Sequence, residues 1–210
     1  MKRYLVALLT FLIAFGIASA TYKLLDSFLD ENINSIIHRL LLLTFAISFM
    51  TFFKIGIKQT NTLRNLSLID FLIIGLILTL FGLNNIFAKE LGTEFMYKTI
   101  LGLTLLNLTV NSIAEEFIYR GFIQTYINEG RTKNKFMVSN GNIFATILMT
   151  LTHIGFFLIM TPIFAITSLI LVILFSLTAG HLREKTNGLL IPIIFHLTVN
   201  YLHFFIQTNQ

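Results

Sequence analysis

Long apolar runs recur along the whole of this 210-residue sequence. Seven of them hold about 18 to 22 residues, the length that an α-helix needs to cross about 30 Å of hydrocarbon at 1.5 Å per residue. Hydrophobic residues make up 55% of the chain and charged residues only 12%. A soluble domain could not cover so much apolar surface, so lipid must solvate most of the chain. The sequence therefore predicts an all-α, polytopic membrane helical bundle.

The seven predicted spans form a single membrane domain over residues 1–210. The first run has a second interpretation, because the basic pair Lys2-Arg3, the apolar stretch and the small residues 18–20 are similar to a cleavable secretory signal. An uncleaved first span is the preferred interpretation, since the chain continues as a polytopic protein. The approximate spans are Tyr4–Thr21, Ile36–Phe53, Leu68–Phe87, Thr99–Ile118, Asn142–Met160, Ile163–Leu182 and Gly188–Ile206.

Basic residues are distributed unevenly among the connections between these spans. With the N-terminus inside, eleven Lys and Arg residues fall in cytoplasmic segments and three in external ones, and Arg39 belongs to neither group. Cytoplasmic loops of membrane proteins are enriched in Lys and Arg, so the pattern predicts an N-in, C-out topology. The same residues lie in short loops and do not line one face of a domain, which argues against nucleic acid as a partner. The eleven are Lys2, Arg3, Lys54, Lys58, Arg64, Arg120, Arg131, Lys133, Lys135, Arg183 and Lys185; the three are Lys23, Lys89 and Lys98.

Two adjacent carboxylates lie near the end of the fourth span, where a charge is costly unless it faces protein or a wet cavity. Glu116 and Arg120 are spaced i, i+4 with the acid first, the favourable order for an ion pair on a helix. Glu115 points about 100° away from that pair, on a polar stripe that must face protein or water. The stripe consists of Thr104, Asn107, Asn111 and Glu115.

This geometry suggests different roles for the two acids. Glu116 and Arg120 are predicted to give structural support, and Glu115 is left free to accept a proton from water. The alternative is that both carboxylates form an interfacial cap and extend to the cytoplasm.

Two later spans carry histidines at depth. His153 lies within the fifth span, where an ordinary packing role is the alternative to a catalytic one. His196 and Asn200 are spaced i, i+4 on the seventh span, so both side chains can donate to one oxygen, as an oxyanion site requires. A structural bridge between helices is the alternative for this pair. His38, His181 and His203 are interpreted as interfacial.

The order Glu-Glu-x-x-x-Arg, then an intramembrane His, then His-x-x-x-Asn resembles the CPBP family of CAAX proteases and bacteriocin-processing (Abi-type) proteins. The resemblance covers residues 99–206, the predicted catalytic core, whereas residues 1–98 contribute three scaffold spans. One position departs from the family pattern, since Met149 stands where the family usually has Phe, four residues before its histidine. Met preserves an apolar packing residue, so the departure affects pocket shape more than catalysis.

The resemblance implies an intramembrane endopeptidase that cleaves a membrane-associated peptide or protein. It implies that Glu115 and His153 activate a water molecule, and that His196 and Asn200 stabilise the oxyanion. A route without a metal is favoured, because the chain has no cysteine and no His-Glu-x-x-His motif. The alternative is a zinc ion held by Glu115, His153 and His196.

The sequence also predicts where the protein lies and leaves two other functions open. The composition looks bacterial, which predicts a multi-pass protein of the cell membrane. Residue counts from the predicted cytoplasmic ends place Glu115 about 5 Å deep, His196 about 12 Å and His153 about 17 Å, so the site is expected to open toward the cytoplasm. The competing functions are a non-catalytic peptide-binding protein with an immunity or scaffold role and a proton-coupled transporter.

The uneven distribution of basic residues makes the topology testable. Reporter fusions should place the connection after Arg120 in the cytoplasm and Gln210 outside the cell. A cytoplasmic Gln210 would contradict the predicted number of spans.

Overall fold

The computed structural model describes residues 2–56, 65–93, 101–129 and 138–208. All regular secondary structure in these segments is helical, which confirms the predicted fold class. A π-helix, Phe117–Gln124, joins α4 to α5. The α-helices are α1 (Lys2–Leu25), α2 (Glu31–Phe52), α3 (Leu68–Ile86), α4 (Leu101–Glu116), α5 (Thr125–Asn128), α6 (Asn140–Thr152), α7 (Phe156–Ile159), α8 (Pro162–Thr186) and α9 (Leu190–Thr208).

Six helical stretches among the described residues are long and apolar enough to cross a membrane. They are α1, α2, α3, α8, α9 and the stretch Asn140–Ile159, which joins α6 to α7. The fourth predicted span is different, because α4 has only 16 residues as an α-helix. It continues through the π-helix and α5 to Asn128 without a break, so the total of seven spans stays a prediction.

Local sequence signals explain where several helices begin. The Asp30 side chain accepts a hydrogen bond from the Asn32 amide at the start of α2, and Ser139 accepts one from Asn142 at the start of α6. Pro162 occupies the first turn of α8, where its missing N–H costs nothing. Such caps satisfy backbone donors that have no partner within the helix.

The distribution of polarity fits a bundle surrounded by lipid. Large apolar side chains such as Leu5, Leu72 and Leu158 are exposed on the outside of the helices. Arg120 is the largest fully buried side chain among the described residues, and Gln124 is buried beside it. Between helices in lipid, polar contacts and close packing provide the attraction that the hydrophobic effect provides in water.

The two ends of the bundle differ in charge. The basic end, as we call it, carries Lys2, Arg3, Lys54, Arg183 and Lys185, and there the Lys185 ammonium lies 2.5 Å from the Asp70 carboxylate. The opposite end contains the turn from α1 to α2 and the segment that follows α3. There the Thr161 hydroxyl donates to the Leu91 carbonyl at 2.7 Å and thereby connects the start of α8 to that segment.

The π-helix closes the middle of the bundle toward the basic end. Every residue from Ile118 to Gln124 is buried. A Cβ atom on Gly121 would lie 3.2 Å from the Met50 sulfur and 3.3 Å from a Leu189 methyl carbon, so glycine permits this close approach. The packed layer separates the basic end from the interior of the other half. Short π-segments inside α-helices often occur at functional sites.

Candidate active site

A cavity of about 590 Å³ occupies the half of the bundle away from the basic end. This volume lies within the range of ordinary ligand sites. Glu115 and His196 lie at its floor, near the middle of their helices. The residues that line its wall include His38, Arg39, Asn111, Met149, His153, Asn200 and His203.

The position of this cavity conflicts with one expectation from the sequence. His38 and Arg39 lie in the first half of α2, and Asn84 and Asn85 at the end of α3, so the wall consists of segments near the opposite end. If the basic end is cytoplasmic, these wall segments lie toward the external side, whereas an opening toward the cytoplasm was expected. Residue depth alone does not specify on which side of a residue the free space lies, so the topology and the opening both stay predictions.

Glu115 is a nearly buried carboxylate at the floor, with 7% of its side chain exposed. Its Oε1 lies 3.5 Å from Nη1 of Arg39, and its Oε2 lies 3.7 Å from Nε2 of His196. Two potential cations from α2 and α9 thus flank a single acid of α4. Opposite charges attract strongly at such distances, so both side chains can hold the carboxylate in place.

Glu116 makes the predicted ion pair and a second contact that the sequence did not reveal. Its Oε2 lies 3.6 Å from Nε of Arg120, and both side chains are fully buried. Its Oε1 accepts a hydrogen bond from Nδ1 of His196 at 3.0 Å. Arg120 also donates to the carbonyl and the hydroxyl of Ser176 on α8, at 3.0 and 2.9 Å. Glu116 thus connects the structural arginine to a histidine of the cavity floor.

Asn200 lies on the same face of α9 as His196, one turn later. Its Nδ2 donates to the Ser112 hydroxyl of α4 at 2.9 Å, and Ser112 in turn donates to the Leu108 carbonyl. This contact fixes the amide against α4, next to the helical turn that carries Glu115. The structural bridge that was the alternative for this pair is present, and Asn200 also lines the cavity.

His153 differs from its predicted setting, because α6 ends at Thr152 and is followed by a turn before α7. His153 nevertheless lies within the candidate span Asn140–Ile159, as the sequence predicted, at the turn between its two helices. Its Nδ1 donates to the Met149 carbonyl at 2.8 Å. A carbonyl can only accept, so Nδ1 carries the proton and Nε2 of a neutral ring keeps its lone pair. The helix end allows the imidazole to line the cavity from the α6 side.

The four predicted catalytic residues therefore line one cavity, although they come from three separate helical segments. The depths estimated from the sequence for Glu115, His196 and His153 range from about 5 to about 17 Å, which is only roughly compatible with a single pocket. The continuation of α4 through the π-helix to Asn128 removes the difficulty, because Glu115 then lies near the middle of a 28-residue helical segment.

Sequence reasoning left one residue of this cavity unassigned and misplaced two others. Arg39 was not assigned, and His38 and His203 were interpreted as interfacial, yet all three line the cavity. A detectable signal existed for Arg39. It is a charged residue inside an apolar run. In the structure, Ser35 one turn before it donates to Asn107 on the polar stripe of α4 at 3.1 Å.

A zinc ion held by three side chains was the alternative to a metal-free site, and such a site needs three ligands close together. In the part of the chain that the structure describes, no three His, Asp or Glu side chains form a group that could hold a metal ion. Glu115, His153 and His196 all line the cavity but do not form such a group.

Residues 97–202 match the family model described as type II CAAX prenyl endopeptidase Rce1-like. The match covers 106 of the 210 residues, half of the chain, and includes Glu115, His153, His196 and Asn200. Arg39 lies outside it. No curated protein and no solved structure matches the chain.

The buried Glu116–Arg120 pair makes a prediction about stability. Replacing Arg120 by Ala leaves the Glu116 charge without its cation, which typically costs about 3–5 kcal/mol in a buried pair. We expect Arg120→Ala to lower both the yield and the thermal unfolding temperature of protein purified in detergent. Arg3→Ala is the matched control, because the Arg3 side chain is 40% exposed at the basic end. Equal unfolding temperatures for the two variants would contradict the prediction.

Proposed function

Since the chain belongs to the type II CAAX prenyl endopeptidase Rce1-like family, we propose that it hydrolyses a peptide bond of a membrane-associated peptide or protein inside the cavity. The family assignment agrees with the resemblance found in the sequence. The observation that carries the proposal is the convergence of Glu115, His153, His196 and Asn200 on one cavity wall and floor.

Glu115 is the general base in the proposed reaction. It accepts a proton from a water molecule while the water oxygen bonds to the scissile carbonyl carbon and the carbonyl electron pair moves to its oxygen. When the tetrahedral intermediate collapses, the C–N bond breaks and the nitrogen takes the proton from Glu115. His153 assists at the start, because Nε2 of its neutral ring can accept a hydrogen bond from the same water.

His196 and Asn200 stabilise the negative oxygen of the intermediate. An imidazole donates from Nε2 to an oxyanion only when that nitrogen carries a proton. The contact of Nδ1 with Glu116 orients the ring, so that Nε2 lies on the side of Glu115. Asn200 contributes the second donor through the amide hydrogen that does not point to Ser112.

This assignment gives Glu116 more than a structural role. It neutralises Arg120 and also orients His196, so its replacement by Gln should weaken turnover without ending it. Glu115 has no substitute as the proton acceptor, so the two adjacent acids should respond differently to the same substitution. A metal takes no part in the proposed reaction. The lack of a three-ligand cluster among the described residues supports that choice.

We further propose that the protein lies in the cell membrane with its basic end in the cytoplasm, so that the cavity faces the outside. The basic residues of the described chain support this orientation, since five lie at the basic end. The opposite end carries Asp26, Asp30, Glu31 and Glu90, with Lys23 and Lys89 as its peripheral cations. The substrate would then be a segment that has already been inserted into, or moved across, the membrane.

The role of Glu115 can be tested by the substitution Glu115→Gln. Gln keeps the shape of the side chain but cannot accept the proton, so cleavage of a peptide library by purified protein should disappear. Glu90→Gln is the matched control, because it makes the same chemical change on an exposed residue outside the cavity. Asn200→Ala should retain activity with a loss of about 10²- to 10³-fold in kcat, the typical effect of removing one oxyanion donor.

Two results would contradict this mechanism. One is full cleavage by well-folded Glu115→Gln. The other is a Glu116→Gln variant that is well folded and as inactive as Glu115→Gln. Wild-type protein treated with a chelator controls for a metal requirement, and its activity should be unchanged.

The orientation of the cavity can be tested with single cysteines, because the chain contains none. Ser19→Cys places a thiol in the cavity wall, Lys89→Cys one at the opposite end and Lys54→Cys one at the basic end. A membrane-impermeant maleimide applied to intact cells should label the first two and not the third. Labelling of Ser19→Cys only after the cells are permeabilised would show that the cavity faces the cytoplasm.

A further inference from the structure

Arg39 is a cationic residue inside the first half of an apolar helix. It lies eight residues after the start of α2, and its side chain is 26% exposed at the wall of the cavity. A charge at that depth is costly in a bilayer unless a partner or a wet cavity compensates for it. The family match begins only at residue 97, so Arg39 lies outside the matched segment.

The partner of Arg39 is the proposed general base. Nη1 of Arg39 lies 3.5 Å from Oε1 of Glu115, close enough for strong attraction but at the outer limit of a hydrogen bond. Among the described residues its buried Nε has no hydrogen-bond partner. The guanidinium is therefore held mainly by the charge of Glu115 and not by a network of its own.

The neighbouring contacts fix this approach. One turn before Arg39, the Ser35 hydroxyl donates to Asn107, one of the stripe residues that precede Glu115 on α4. The polar faces of α2 and α4 therefore lie against each other, and the Arg39 side chain extends along α4 to Glu115. On the other side of Glu115, His196 contacts Glu116 through Nδ1 and lies 3.7 Å from Oε2 of Glu115 through Nε2. Arg39 is the arginine paired with Glu115, as Arg120 is the arginine paired with Glu116.

We propose that Arg39 is a positioning residue for Glu115. Its guanidinium holds the Glu115 carboxylate as an anion at the cavity floor, oriented toward the water that it deprotonates. The inference rests on the proposed function, because it assigns Arg39 a role in that same reaction. Arg39 acts through Glu115 and does not bind the substrate, so its loss should slow the chemical step and leave substrate binding nearly unchanged.

The kinetic test compares Arg39→Gln with Arg39→Lys. We expect Arg39→Gln to lower kcat by about 10- to 100-fold, the effect of misplacing a reacting group by about 1 Å, and to change KM by less than about threefold. Arg39→Lys retains the positive charge and should recover most of the lost kcat. Arg183 provides the control, because it is a buried arginine at the basic end, outside the cavity. Arg183→Lys should leave kcat unchanged.

A second measurement does not depend on cleavage. Thermal unfolding temperatures of Arg39→Gln, Glu115→Gln and the double variant form a cycle that reports the coupling of the two side chains. We expect the double variant to be more stable than the sum of the single effects predicts, since it leaves neither charge unpaired. If the wild-type protein cleaved no peptide, the proposed function would fail, whereas this cycle would still decide whether Arg39 holds Glu115.

Three outcomes would overturn the role of Arg39. Additive unfolding effects would show that the two charges do not interact. Equal loss of kcat in Arg39→Lys and Arg39→Gln would show that the charge is not what matters. A rise in KM of Arg39→Gln for peptides with a free C-terminal carboxylate, and not for their amides, would show that Arg39 binds the substrate instead.

Discussion

The arrangement of this bundle depends on burying charge without water. Glu116 and Arg120 are fully buried, and each provides the opposite charge that offsets the cost of burying the other. The pair also determines its surroundings, since Arg120 donates to Ser176 of α8 and Glu116 accepts from His196 of α9. Three helical segments are thereby connected around one ion pair. The cavity lies directly beside it, on the side where Glu115 projects.

The same constraint explains why the reactive groups occupy the middle of the bundle. In lipid, a polar side chain must face protein or a wet cavity, and the stripe of α4 satisfies this rule by facing α2 and the cavity. The π-helix then closes the space toward the basic end, with Gly121 allowing close contact with Met50. The cavity therefore lies in the half of the bundle away from the basic end.

Much of the candidate site could be predicted because the relevant signals are local. The spacing of Glu116 and Arg120 within one helix predicted an ion pair, and the structure contains it. The spacing of His196 and Asn200 predicted one face, and both line the cavity. His153 was harder, because the end of α6 at Thr152 is not marked by proline or by an immediate glycine. Its surroundings depend on contacts that no short stretch of sequence encodes.

The sequence by itself determined that this chain is a membrane-embedded helical bundle and which residues are its candidate reactive groups. Those properties follow from apolar length and from i, i+4 spacing, which depend on neighbouring residues alone. Only the tertiary structure decided that Arg39 meets Glu115, that Glu116 also contacts His196, and which half of the bundle contains the cavity. These contacts join residues about 80 positions apart, so they depend on how helices from distant parts of the chain pack together.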